Sequence, residues 1–401
     1  MAKHPHYLSS LGIVSALGTG IAETKATLAG KKSADMIKRS GFLPDRETIL
    51  GTVTGNLPKL PDHLSEYDTR NNRLLWSAAR QTENDIHDLI TKFGKERIGV
   101  LIGTSTAGIE EGTAHYQHRI EKGQFPESFR YGHQEIGSPS EFLKTAFDLR
   151  GPAYSISTAC SSSAKAFASG LRLLKADMCD AVLVGGVDSL CRLTVGGFDA
   201  LQSLSDGICN PMSKNRNGIN IGEGAALFIL RKDAGEIEVL GVGESSDAHH
   251  PNAPHPDGVG AARAMQTALA RSGITPADIS YINLHGTATP LNDIMEAKAV
   301  HAVLGPNIPA SSTKPLTGHT LGAAGAIEAA ILWLSMSDID IGAPLPVHQW
   351  DGERDEELPP INLITSHQSL APCNRLAMMS NSFAFGGSNV SVILGKGWTI
   401  P

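Results

Sequence analysis

The sequence predicts an α/β chain in two halves, each opening on a strand. Short β-prone runs recur along it with helical patterns between them. A polar segment, Arg231-Lys-Asp-Ala-Gly-Glu236, separates one series of runs from the next. Hydrophobic residues make up 41% of the 401 residues and charged ones 19%, an ordinary globular balance with apolar material for two cores. We place the boundary at the polar segment, giving halves of residues 1–235 and 236–401.

The elements follow in chain order. Leu8-Ser-Ser-Leu-Gly-Ile-Val-Ser-Ala-Leu-Gly reads as a strand and turn, too short and glycine-broken for a secretory h-region or a membrane span. Residues 31–68 carry turn residues and weak periodicity and are expected to be loop-rich surface. Strands are expected at 97–102, 153–158, 181–185 and 225–230, then at 238–242, 281–284, 375–380 and 390–394. No run approaches membrane length, and no short repeat or low-complexity tract is present. The net charge of −7 argues against a general nucleic-acid binder, while leaving room for an acidic partner on a local basic patch. Five widely spaced cysteines without a C-x-x-C pair indicate reduced thiols and a cytoplasmic location.

Four motifs carry chemistry. In Ser157-Thr-Ala-Cys160-Ser-Ser-Ser, a cysteine follows a β-prone run and precedes a helical pattern with Ala164, Phe167, Ala168, Leu171 and Leu174 on one face. A helix start favours the thiolate, so the position is expected to lower the thiol pKa and make a nucleophile. A lone cysteine there would more often be core. In Asn283-Leu-His285-Gly-Thr287-Ala-Thr289, the histidine closes a strand, where ligands gather in α/β sheets, and the two hydroxyls suit an extended amide chain. Lys314-Pro-Leu-Thr-Gly-His319 leads into a helix whose one charge between residues 320 and 337 is Glu328. A carboxylate buried there needs a partner, and Lys314 and His319 are nearest in sequence. In Asn381-Ser-Phe-Ala-Phe385-Gly-Gly-Ser-Asn, a tight turn exposes backbone N–H groups that would suit an oxyanion or a plain hairpin.

Taken together and in this order, the motifs resemble those of β-ketoacyl-acyl carrier protein synthases of the Cys-His-His type. The likeness runs from the first strand to the last and takes in Asn215-Arg-Asn-Gly-Ile-Asn-Ile-Gly-Glu-Gly and Ser245-Ser-Asp-Ala-His-His. Within the family, Arg70-Asn-Asn-Arg-Leu-Leu and Gly103-Thr-Ser-Thr-Ala-Gly-Ile-Glu-Glu-Gly look most like bacterial aryl-polyene ketosynthases. The resemblance implies a thiolase-like fold, two similar α/β halves in a five-layered α-β-α-β-α sandwich. It implies decarboxylative condensation of a malonyl thioester with an acyl chain held on Cys160. By resemblance, the N–H groups of Cys160 and Phe385 form an oxyanion hole, and His285 and His319 hold the malonyl carbonyl. Lys314 and Glu328 orient His319, Thr287 and Thr289 bind the phosphopantetheine arm, and Phe385 gates the acyl pocket. Substrates arrive on acyl carrier protein, with no separate cofactor and no metal. The expected assembly is a heterodimer with a chain-length-factor-like homologue, otherwise a homodimer.

One position departs from the family pattern. Ala384 stands where the gate usually has glycine, and alanine restricts the backbone there. For the acidic carrier protein, Arg70 and Arg73 form one candidate docking pair and Lys214 and Arg216 a second. His249, His250 and His255 suggest a metal site at first sight, but interleaved prolines and the lack of matching carboxylates weaken that. A housekeeping fatty-acid elongation enzyme is the main alternative. A non-catalytic chain-length-factor subunit would lack Cys160, a thiolase would need a second catalytic cysteine that Cys373 does not match, and a binding module would leave Cys160 unacylated.

Overall fold

The computed structural model describes residues 5–398, so the outermost residues of both expected halves lie outside the described residues. Along the path of the main sheet the first half supplies β1 (Tyr7–Ser15), β2 (Ile98–Gly103), β3 (Ala153–Ile156), β4 (Ala181–Asp188) and β5 (Gly224–Arg231). Their spatial order is β3-β2-β4-β5-β1. The second half contributes β6 (Ile237–Ser246), β7 (Ile279–Asn283), β8 (Pro309–Ser311), β9 (Leu376–Phe383) and β10 (Ser388–Lys396), in the order β8-β7-β9-β10-β6.

These are the same permutation, and strand directions repeat with it. β2 pairs in parallel with β3 and β4, as β7 does with β8 and β9. β5 pairs antiparallel with β4 and β1, as β10 does with β9 and β6. The halves are joined at Tyr7↔Glu238 and Leu8↔Ile237, where β1 briefly pairs with β6. The central strands β4 and β9 are buried along their whole length, β4 as the near-continuous apolar run expected when both faces are covered.

Six helices complete the layers: α1 (Arg70–Arg80), α2 (Ser138–Ala146), α3 (Ser162–Lys175), α4 (Val259–Ser272), α5 (Pro290–Leu304) and α6 (Ala324–Ser337). α3 and α6 form the middle layer. Phe167 and Leu171 of α3 share one core with Ile327 and Ile331 of α6, together with Phe228 and Val392 from the two sheet regions. Each such side chain contributes on the order of 1.5–3 kcal/mol by leaving water. α1 and α2 cover the first half's outer face through Leu74, Leu75 and Phe142. α4 and α5 cover the second half's through Met265, Met295 and Val300. The result is the α-β-α-β-α sandwich that the resemblance implies.

The stretch 31–68 is less superficial than expected. It holds a short hairpin, Met36–Arg39 with Thr48–Gly51, and it buries Leu43 and Leu50 against Leu190, Ile219 and Ile221. Its strands are four residues each, too short to show a period between the flanking turns.

Candidate active site

Duplication of the fold dictates where Cys160, His285 and His319 meet. Cys160 lies in the connection from β3 to α3, and His319 lies in the corresponding connection from β8 to α6. Since α3 and α6 share the middle layer, the two connections come together. Cys160 Sγ and His319 Nε2 are 2.9 Å apart. His285 follows β7, and its ring stands edge-on to that of His319 with centroids 5.4 Å apart. One donor atom from each of the three residues falls within 4.8 Å of the others, and all three side chains are buried.

The turn around Cys160 is folded by its own serines. Ser162 Oγ accepts from Thr158 N and donates to Ala159 O, while Ser161 Oγ donates to Thr158 O. Ala159, immediately before the cysteine, takes a left-handed conformation with φ +51°. Ser163 Oγ accepts from Ala326 N, tying the start of α3 to that of α6. Gly103 lets β2 end against this turn: a Cβ there would lie 2.2 Å from Ser163 N.

The expected thiolate is not the resting form. Burial pushes the Cys160 thiol up to about 12, against weaker downward pulls from the Lys314 ammonium and the backbone N–H groups of Cys160 and Phe385. Desolvation of a buried anion here outweighs the helix start. The same two N–H groups are those assigned by resemblance to an oxyanion hole, and both face the sulfur. Burial also holds His285 and His319 well below the ordinary imidazole range, and the Lys314 charge adds to this for both. Thiol and imidazoles are therefore neutral together.

Lys314 does pair with Glu328, Nζ to Oε1 at 2.6 Å, with both side chains buried. Phe385 sits in the turn between β9 and β10, closed by Ala384 N to Ser388 O and Gly387 N to Ala384 O. Gly386 and Gly387 both have positive φ, +86° and +82°, which the turn requires. Ala384 is not among the positive-φ residues, so alanine is unstrained in this conformation. The Phe385 ring packs on Phe198, centroids 5.8 Å apart. Thr287 and Thr289 are buried and hydrogen-bond each other at 2.9 Å.

Several residues that hold the site were not singled out in the sequence. Glu296 of α5 accepts from His285 N and Gly286 N, both at 2.7 Å, and burial pushes its carboxyl up to about 7. His319 N donates to Asn220 O, and Gly222 N donates to His319 O. The glycine-rich segment noted at 215–224 therefore forms the bed on which His319 lies. No sequence signal set Glu296 apart, since Asp293 and Lys298 are charged neighbours on the same helix.

The docking candidates fare unevenly. Arg216 is corrected: its side chain is 5% exposed and bound to Asp355, so its charge is spent inside the protein. Arg70 is 41% exposed but forks onto the fully buried Glu223, with Nε to Oε2 at 2.7 Å. Arg73 pairs with Asp68 and Lys214 with Glu353, both at the surface. The imidazoles of His249 and His255 lie tilted to each other with centroids 5.0 Å apart, while Nδ1 of His250 and of His255 accepts a backbone N–H two residues on. These nitrogens are engaged in local turns.

Residues 26–234 match the N-terminal domain of β-ketoacyl synthases, and residues 237–345 match the C-terminal domain. The chain belongs to the β-ketoacyl synthase family. Among relatives of this synthase, 3-oxoacyl-[acyl-carrier-protein] synthase 2 of Coxiella burnetii is 30% identical over 418 residues, covering 99% of each chain. Among solved structures, the ketosynthase ApeO of Xenorhabdus doucetiae, in complex with its chain length factor ApeC, is 45% identical with a TM-score of 0.93 and 98% coverage of each chain. The ishigamide ketosynthase/chain length factor is 26% identical with a TM-score of 0.85, covering 98% of this chain and 100% of its own. No helix among the described residues of this synthase is long and apolar enough to cross a membrane.

Proposed function

We propose that this β-ketoacyl synthase elongates an acyl chain held on Cys160, with malonyl-acyl carrier protein as extender, in aryl-polyene-type biosynthesis. The observation that carries the reading is the buried cluster of Cys160, His285 and His319. The 45% identity to ApeO, a ketosynthase in complex with its chain length factor, supports the pathway. In the first half-reaction, Cys160 passes its proton to His319 Nε2 and attacks the acyl thioester carbonyl. The N–H groups of Cys160 and Phe385 hold the oxyanion. Collapse expels the phosphopantetheine thiolate, which takes the proton back from His319.

In the second, neutral His285 and His319 donate to the malonyl thioester carbonyl, His319 after its proton has exchanged from Nδ1 to Nε2. Loss of carbon dioxide leaves an enolate whose charge rests on that oxygen. Its α-carbon attacks the acyl-cysteine, the new C–C bond forms as the C–S bond breaks, and a proton from solvent restores the thiol. Lys314 and Glu328 set the field around His319. Thr287 and Thr289 exchange their mutual hydrogen bond for bonds to the phosphopantetheine amides. Phe385 and its turn gate the acyl pocket. The phosphopantetheine of the carrier protein is the prosthetic group the reaction uses, with no cofactor or metal of the enzyme's own. The site of action is the cytoplasm, and the two halves, 1–235 and 236–401, carry the nucleophile and the histidines.

A chain-length-factor-like homologue is the partner this reading names. Its support in this chain is β3, which ends the sheet order with one backbone edge unpaired among the described residues, and which carries the 42%-exposed Tyr154. Such an edge is a ready site for strand pairing. Incubation with acyl carrier substrate should leave a thioester adduct on Cys160 by mass spectrometry, absent in Cys160→Ala. Malonyl-acyl carrier protein should then release a β-ketoacyl product. Full activity on saturated chains as a homodimer would favour fatty-acid elongation instead. No adduct on Cys160 would overturn both.

A further inference from the structure

Asp188, the last residue of β4, is fully buried, and no role follows for it from the motifs. Its carboxylate gathers five donors. Oδ1 accepts from Thr104 Oγ1 at 2.8 Å, Ser105 N at 2.7 Å, Thr106 N at 2.8 Å and Thr106 Oγ1 at 2.8 Å. Oδ2 accepts from Gly322 N at 2.5 Å. The first four donors belong to the loop after β2, in the first half. The fifth lies three residues beyond His319, in the second half. One side chain thus ties the two halves together beside the reacting atoms.

Both ends of this tie lead to the reactive pair. On one side, Ser105 Oγ reaches Ala159 O at 3.5 Å, the residue before Cys160. On the other, Gly322 belongs to the connection that carries His319 into α6. Residue 322 is held so tightly that a Cβ there would stand 2.8 Å from Asp188 Oδ2, Ser105 N and Ser105 Oγ alike. All five donors are N–H or O–H groups pointing at an acceptor, a pattern only a carboxylate in this orientation satisfies in full.

We propose that Asp188 is a positioning residue that sets the distance between Cys160 Sγ and His319 Nε2 by anchoring the loop after β2 and the His319 connection to one carboxylate. It acts through these backbones and touches no substrate. The proposal deepens the reading of Cys160 and His319 as a reactive pair and rests on it.

Asp188→Asn keeps size and shape but must turn N–H groups toward Gly322 N or toward the Thr104–Thr106 donors, so it opposes one anchor in either orientation. A misplacement of about 1 Å at a reacting pair costs on the order of 100-fold in rate. The test reads the rate of Cys160 alkylation by iodoacetamide in the full chain, with His319→Ala as a second background. Asp188→Asn should slow alkylation at pH 8 about 10-fold or more in the wild-type background and leave it unchanged when His319 is already alanine. Equal slowing in both backgrounds, or none in the wild type, would overturn the proposal. If Asp188→Asn does not fold, Gly322→Ala intrudes on the same contact with the carboxylate retained and should show the same dependence on His319. The readout needs no carrier protein, so it is separate from the reaction itself. Absence of condensation by the wild-type enzyme would count against the proposed function, whereas additive effects on alkylation would count against Asp188.

Discussion

Lys314 Nζ lies 2.6 Å from Glu328 Oε1, in a pair whose side chains are 2% and 4% exposed. An ion pair this deep does little for stability by existing, but removing one member strands a buried charge. Glu328→Ala should therefore lower unfolding free energy by about 3–5 kcal/mol. Lys314→Met combined with Glu328→Leu should cost less than the sum of the single changes, as read from urea unfolding. The double variant should also remove the cation that helps keep His285 and His319 uncharged, so its activity should fall even where its stability recovers.

The neutral thiol makes a distinct prediction for reactivity. With Cys160 pushed up to about 12, the thiolate fraction grows about tenfold per pH unit below that value. Iodoacetamide alkylation of Cys160 should climb steadily from pH 7 to pH 9 without levelling. A plateau beginning near pH 6 would mean that Cys160 and His319 form a thiolate–imidazolium pair at rest, contrary to the burial argument.

Legibility of the sequence divides along the same physical line. A strand such as β4 is readable because continuous burial leaves a run of apolar residues, and Cys160, His285 and His319 because their motifs sit at strand ends. What the motifs do not display is how residues far apart satisfy one another. Asp188 lies 134 positions from Gly322, and Glu296 is reached from His285 only after α5 folds back. The thiol pKa was misread for a related reason: helix position is local and visible in sequence, whereas complete burial depends on both halves closing over the site.

His348 carries a pH signature of its own. It is buried with Nδ1 accepting from Ser312 N and Nε2 against Pro211 O, and burial holds its imidazole down at about 4. The unfolded chain therefore binds more protons than the folded one below about pH 6.5. Stability from this group is complete above that value and is lost as pH falls toward 4. Between pH 7 and pH 5 the loss from His348 is about 2 kcal/mol. His348→Gln should be less stable at pH 7, yet its unfolding free energy should fall less steeply on acidification than that of the wild type. Parallel slopes from pH 7 to pH 5 would show that His348 does not titrate in this way.

Alanine at position 384 should act through the flexibility of the turn rather than through strain. Because Ala384 is outside the positive-φ residues, Ala384→Gly gains no relief in the folded state and adds conformational freedom to the unfolded chain. A loss of about 0.4–1 kcal/mol in thermal unfolding is expected. If Phe385 gates the acyl pocket, the same change should speed acyl transfer to Cys160 from long-chain more than from short-chain carrier substrates. Equal effects at all chain lengths would separate the turn from gating.

Carrier docking requires variants that spare the fold. Reversing Arg70 to glutamate would place a second carboxylate against Glu223, whose own side chain is fully buried and otherwise bonded to Val53 N and Leu190 N. Any change in carrier kinetics would then be confounded with misfolding. Even Arg70→Gln should cost about 1–3 kcal/mol, short of a fully buried pair because the guanidinium is 41% exposed. Lys214 offers a cleaner probe: its ion pair with Glu353 is at the surface, with 54% and 52% of the side chains exposed, and such pairs contribute little. Lys214→Glu should leave the melting temperature nearly unchanged. If the acidic carrier protein docks on this face, its KM should rise severalfold and more steeply at low ionic strength, while alkylation of Cys160 by iodoacetamide stays the same. The same measurements on Arg73→Glu test the other face, since Arg73 pairs with the partly exposed Asp68 rather than with a buried carboxylate. A raised KM for one variant and not the other would assign the docking face; unchanged KM for both would remove these basic residues from carrier recognition.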